Sequence, residues 1–200
     1  MDPTTAALAR VRRFARPMAA DIPPADLALP AVRQLLTATR APFRIVGGVA
    51  VIHHGYVRTT ADVDVLIEEE GQAKIDRELR SYGFERETPH RLRHSETGVG
   101  VHLLVAGEAM PRPGAPTYPS PRDLESSPRD PAIVGLPGLV DLKLWADRHQ
   151  DRADLVALLK RLDEREYFDL EAAVEPNLRT RLWELRRDAL EEASWASDEA

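Results

Sequence analysis

The chain has 200 residues, no cysteine, 43% hydrophobic and 30% charged residues and a formal net charge of −6. That length buries one core with a helical appendage and hardly two catalytic domains; the missing cysteines exclude disulfide staples, thiolate metal sites and thiol redox chemistry; and the acidic balance argues against broad coating of nucleic acid, which needs a basic surface. No apolar run approaches the roughly 20 residues that span a bilayer, and Arg10, Arg12, Arg13 and Arg16 among alanines leave no room for a signal-peptide apolar segment, so a soluble, cytoplasmic protein is expected.

Residues 1–30 read as a loose N-terminal helix followed by a connector punctuated by Pro23, Pro24 and Pro30. From Ala31 the spacing of Val32, Leu35, Leu36 and Ala38 predicts a helix that stops near Pro42, and Phe43 to Val46 predicts a strand ending in Gly47-Gly48. A second helix follows from Val49 to about His54 with Gly55 as its C-terminal glycine, then a strand over Asp62–Ile67. A helix at 70–82 and strands at Phe84–Glu87, Arg91–His94 and Gly100–Leu104 complete a mixed sheet with helices packed on it. The segment 111–131 holds seven prolines and reads as a loop. Beyond Ile133-Val134 the pattern is helical: Leu139–His149, Arg152–Leu162 and Leu178–Trp195. The whole is an α+β chain with a connector at 1–30, a core at 31–136 and a C-terminal helical region at 137–200.

Asp62-Val63-Asp64 centres the chemistry, because alternate residues of a strand project to one face and set two carboxylates side by side. Such a pair suits Mg²⁺, a hard ion held by one or two carboxylates with phosphates and water completing its shell. Gly47-Gly48 sits where a strand feeds a helix, so its backbone N–H groups can approach an anion with no Cβ in the way. Other chemistries find no support. His53 and His54 are adjacent and cannot form the i, i+4 pair of a zinc helix. There is no nucleophile elbow, P-loop or dinucleotide fingerprint. Leu178, Leu182, Leu185, Leu190, Trp183 and Trp195 have the spacing of a packed helix face.

Together, Gly47-Gly48 and Asp62-Val63-Asp64-Val65 resemble the signature of the DNA polymerase β-like nucleotidyltransferase superfamily. More narrowly, Ile45 to Ala50, His54-Gly55, Arg58-Thr59-Thr60 and the Asp62/Asp64 pair resemble small bacterial nucleotidyltransferases of toxin–antitoxin and abortive-infection systems, the AbiEii-like and minimal nucleotidyltransferases. Leu139 to Leu144, with Lys143, and Arg148 to Asp154 look like the second helical motif of those families. The resemblance implies a nucleotidyltransferase fold and transfer of a nucleoside monophosphate from an NTP such as ATP to a hydroxyl of a protein or RNA acceptor, with a cognate toxin or antitoxin as a further partner. It implies that Asp62 and Asp64 hold Mg²⁺ and that Gly47, Gly48, Arg58, Thr60 and Lys143 contact nucleotide and phosphate. The superfamily supplies a third carboxylate from a later strand, where this chain has His102. Three readings stay open: His102 acts as general base, Glu96 or Asp123 takes the position, or transfer is lost while binding persists in a module that regulates.

Overall fold

A computed structural model describes residues 25–198; the N-terminal helix and connector expected at 1–24 lie outside the described residues. The chain divides into two compact units, one formed by the segments ending at Ala109 and spanning Thr117–Val134, the other by Met110–Pro116 and the chain from Gly135. Among the described residues no helix is long and apolar enough to cross a membrane.

The first unit is a mixed α+β structure. Its helix α1 (Leu29–Thr39) carries Pro30 in its first turn, where the fixed φ is suited, and buries Leu29, Val32, Leu35 and Leu36 on one face. Arg40, left-handed at φ 52°, ends it. Strand β1 (Phe43–Val46) leads directly into α2 (Gly47–His53), and β2 (Asp62–Ile67) follows. Next come α3 (Glu69–Glu78), a 3₁₀ turn over Leu79–Tyr82, β3 (Phe84–Thr88), β4 (Arg91–His94) and β5 (Gly100–Val105). Two further strands, β6 (Ser126–Ser127) and β7 (Asp130–Val134), complete a sheet of order β3-β4-β5-β2-β1-β7-β6. β2 pairs antiparallel with β1 and parallel with β5, and so sits at the centre.

Two expectations need correcting here. The segment 111–131 is not loop throughout: β6 and the start of β7 fall within it, and β7 adds to β1 in parallel through Ile45 and Ile133. Of the seven prolines only Pro131 falls in a strand, as the second residue of β7 with its side chain exposed. The second helix starts at Gly47, not Val49, so both glycines lie in its first turn.

α2 is short, and side chains at its end tie it to the sheet. His53 Nε2 lies 2.7 Å from Ser127 Oγ, His54 Nε2 lies 2.9 Å from the Val134 carbonyl, and Arg129 donates to the His53 carbonyl at 2.7 Å. Burial, assisted by the neighbouring His54, pushes His53 down to about 4. A histidine held neutral in the fold contributes stability that is present above its unfolded pKa near 6.5 and is lost as pH falls through the folded value. Acidification from pH 6.5 to 4 is therefore expected to cost about 3 kcal/mol at this residue. Denaturant titrations across that window should show a smaller loss in His53→Gln than in the native chain; equal losses would rule His53 out as the cause.

The second unit is helical: α4 (Leu136–Ala146), α5 (His149–Leu159), α6 (Glu164–Ala173), a 3₁₀ turn at Pro176–Leu178 and α7 (Arg179–Asp198). Its core joins Val140, Leu144, Leu155, Leu159, Leu170 and Leu182, with Leu178 and Leu182 facing inward as their spacing predicts. Trp183, Leu190 and Trp195 instead stand exposed. Helix α6 was not anticipated. It carries a capping box, in which Asp163 accepts from the Glu166 N–H and Glu166 accepts from the Asp163 N–H.

Candidate active site

The site is built on β2. Val63 and Val65 are fully buried on one face, so Asp62 and Asp64 project together from the other with about a third of each side chain exposed (34% and 27%). Leu66 continues that face and is buried, so the acids occupy its open end and apolar packing closes the rest.

The turn from β1 to α2 brings backbone against this pair. Val46 is registered opposite Asp64, and the next residue, Gly47, takes a left-handed φ of 59°. A Cβ there would fall within contact radius of the Asp64 carboxylate, its Cγ being 2.7 Å away, so both the conformation and the space demand glycine. Gly48 is equally confined: an added Cβ would collide with the Thr60 side chain and come within 3.1 Å of Arg58 Nη2. Thr60 is itself fixed, its hydroxyl donating to the Asp62 carbonyl at 3.3 Å and its own carbonyl accepting from the Ala25 N–H at 3.0 Å. Arg58 donates to the Thr59 carbonyl at 2.7 Å. The structure thus gathers Gly47, Gly48, Arg58, Thr60, Asp62 and Asp64 about one turn, with the first N–H groups of α2 and no side-chain cap upon them.

His102 joins them from β5, where it is registered opposite Asp64. Its Nδ1–H donates to Asp64 Oδ1 at 3.1 Å. That hydrogen bond raises the imidazole above its ordinary value, burial opposing and the Asp64 charge adding to the rise. With Nδ1–H committed to Asp64, the neutral ring presents Nε2 as its proton acceptor.

The sequence pattern missed Arg91, which reaches the pair from β4 with Nη2 3.4 Å from Asp62 Oδ1. Its only sequence-level signal was a position in a strand two places from β2 in the sheet, an order that periodicity does not reveal.

Lys143 is where expectation and structure part. Its ammonium donates to Asp151 at 2.8 Å and Asp154 at 2.7 Å inside the helical unit and is only 5% exposed. A lysine that spends its charge on two buried carboxylates has none to offer a phosphate, so the structure assigns it to the fold of that unit.

Asp62 and Asp64 fit a hard divalent cation: both are oxygen donors, both are open to solvent, and only Oδ1 of each is engaged by His102 or Arg91. Among the described residues no group of three or more His, Asp or Glu side chains forms a metal cage. Glu96 lies exposed in the turn between β4 and β5 and Asp123 in the exposed stretch before β6, so neither completes a cage around the pair. Two carboxylates with open coordination positions are what a cation shared with substrate phosphates requires.

No protein-family model matches the chain, and no curated protein sequence matches it. Among solved structures it is similar to the solution structure of the antibiotic-resistance factor ANT(2'')-Ia, an aminoglycoside nucleotidyltransferase, at 16% identity and a TM-score of 0.48, over 85% of this chain and 98% of that one.

Proposed function

We propose that the chain is a Mg²⁺-dependent nucleotidyltransferase that moves a nucleoside monophosphate from an NTP to a hydroxyl of a protein or RNA acceptor, in the manner of small toxin–antitoxin enzymes. The observation that supports it is the packing of the Gly47 backbone against Asp64, which sets an anion-accepting helix start beside an open carboxylate pair.

In this reading the α2 N–H groups and Arg58 bind the triphosphate, Arg58 through its planar fork, while Thr60 holds the turn. Asp62 and Asp64 hold the cation, which supplies charge neutralisation at the phosphates. The acceptor oxygen attacks the α-phosphorus, the bond to the bridging oxygen of the β-phosphate breaks, and pyrophosphate leaves. His102 takes the hydroxyl proton at Nε2 while Asp64 fixes its ring through Nδ1. Only the neutral ring accepts that proton, so the rate rises with pH as the imidazole deprotonates.

Titration of each NTP into the native protein, with and without Mg²⁺, tests the reading by calorimetry. Mg²⁺-dependent binding of at least one NTP is the expected result; no binding in any combination would overturn it.

A second reading has His102 in its favour, since an imidazole is a poor ligand for a hard ion where the superfamily has an acid. The chain is then a nucleotide- or partner-binding regulator that no longer transfers. His102→Asp separates the two: transfer seen only in the variant supports the regulator, and transfer in the native chain that the variant loses supports His102 as the base.

A further inference from the structure

Arg91 reaches Asp62 by an unusual route. It stands on β4, opposite His102 of β5, and its guanidinium crosses above Gly100, which is registered against Asp62 in β2. A Cβ at Gly100 would lie 2.8 Å from Arg91 Nη2 and would also collide with Asp62 Oδ1. The bare backbone of Gly100 is what lets the cation and the carboxylate meet.

The contact is loose. At 3.4 Å it is longer than the roughly 2.7–2.9 Å of a strong charge-assisted bond. On the other side Arg91 Nε lies 3.0 Å from Glu87 of β3, an ion pair whose geometry makes no hydrogen bond. Among the described residues Arg91 Nη1 makes no hydrogen bond or ion pair, and the side chain is 39% exposed. A tethered guanidinium with unspent donors thus rests on one of the two carboxylates assigned to the cation. An arginine and a divalent ion cannot share Asp62 Oδ1 without strong repulsion, whereas a triphosphate offers the same arginine a planar, bidentate partner.

We propose that Arg91 is a phosphate-binding residue that occupies Asp62 until nucleotide arrives, so that the site takes its divalent cation together with the triphosphate and not before it. This rests on the nucleotide-site reading above. When the triphosphate enters, Arg91 leaves Asp62 for phosphate oxygens and frees Oδ1 for the ion, and Glu87 keeps the guanidinium within reach throughout.

The test measures Mn²⁺ alone, and then each NTP with Mg²⁺, on the native protein and on Arg91→Gln, Arg91→Lys and Asp64→Asn, each checked by thermal melting. Arg91→Gln should bind Mn²⁺ alone roughly three- to fivefold tighter, the gain expected from removing one half-exposed competing charge. The same variant should bind Mg²⁺–NTP at least about tenfold more weakly, having lost a charged donor to phosphate. Arg91→Lys keeps the charge and loses the fork, so its Mn²⁺ affinity should stay native while its NTP affinity falls between the other two. A merely structural arginine would shift both ligands the same way, and that result, or no shift in either, overturns the proposal. If Asp64→Asn weakens both ligands while Arg91→Gln changes neither, only the role of Arg91 falls. If Asp64→Asn changes neither ligand, the nucleotide-site reading falls with it.

Discussion

Asparagine at both Asp62 and Asp64 is expected to abolish Mg²⁺-dependent NTP binding, a loss of more than roughly a hundredfold, while the sheet stays folded. The expectation follows from what each oxygen does. Oδ1 of Asp64 accepts from His102 and Oδ1 of Asp62 lies by Arg91, and an asparagine carbonyl can take over both roles. The charge, by contrast, has no substitute. A divalent cation bound through neutral amides loses most of its attraction, and with it the neutralisation of the triphosphate. Both side chains are partly exposed and near the volume of their replacements, so the stability change should stay within about 1 kcal/mol. Calorimetry with and without Mg²⁺, paired with thermal melting, checks both halves. Native-like NTP affinity in the doubly substituted chain would remove the carboxylate pair from the mechanism.

How far the site was legible depends on the range of the contacts that make it. The pairing of Asp62 with Asp64 follows from a period of two, and the structure shows the buried Val63 and Val65 that the alternation requires. The glycines were recognisable for the same local reason, a strand meeting a helix, although the positive φ of Gly47 and its closeness to Asp64 come from the β1–β2 register. His102 was reached through the resemblance and lies beside Asp64 by strand pairing. Arg91 required the pairing of three strands at once, and one sequence does not contain that order. In the fold, β7 was hidden because prolines mask a strand that forms only when β1 offers it an edge. Helix α6 was hidden by charge: Glu164, Arg165, Glu166 and Asp169 outnumber the inward Tyr167 and Leu170, though the Asp163/Glu166 capping box was a readable start signal.

Lys143 shows the limit of motif reading most clearly, and its replacement should have the largest effect on stability. A lysine one turn after Leu139-Val140 looks like a free cation on a helix, because nothing in α4 itself reveals that α5 folds back with Asp151 and Asp154 directed at it. Asp151 is 2% and Asp154 0% exposed, and each carries a second bond, from Arg148 at 2.6 Å and from Gln150 at 2.9 Å. Burial pushes the Asp151 carboxyl up, but Arg148 and Lys143 outweigh it and hold the group below its ordinary range. Its contribution is therefore present above the unfolded carboxylate pKa and lost as pH falls through the lowered folded value. Lys143→Met removes the cation and strands two buried charges, which should destabilise the helical unit by about 3–5 kcal/mol at neutral pH. Adding Asp151→Asn and Asp154→Asn should restore part of that loss, since neutral amides can be buried with the Arg148 and Gln150 contacts still available. Urea unfolding of the native, single and triple variants measures both steps. A single variant that unfolds at the native midpoint yet binds NTP poorly would return Lys143 to the phosphates; one that loses several kcal/mol, with partial recovery in the triple variant, fixes it as the charge on which α4 and α5 close.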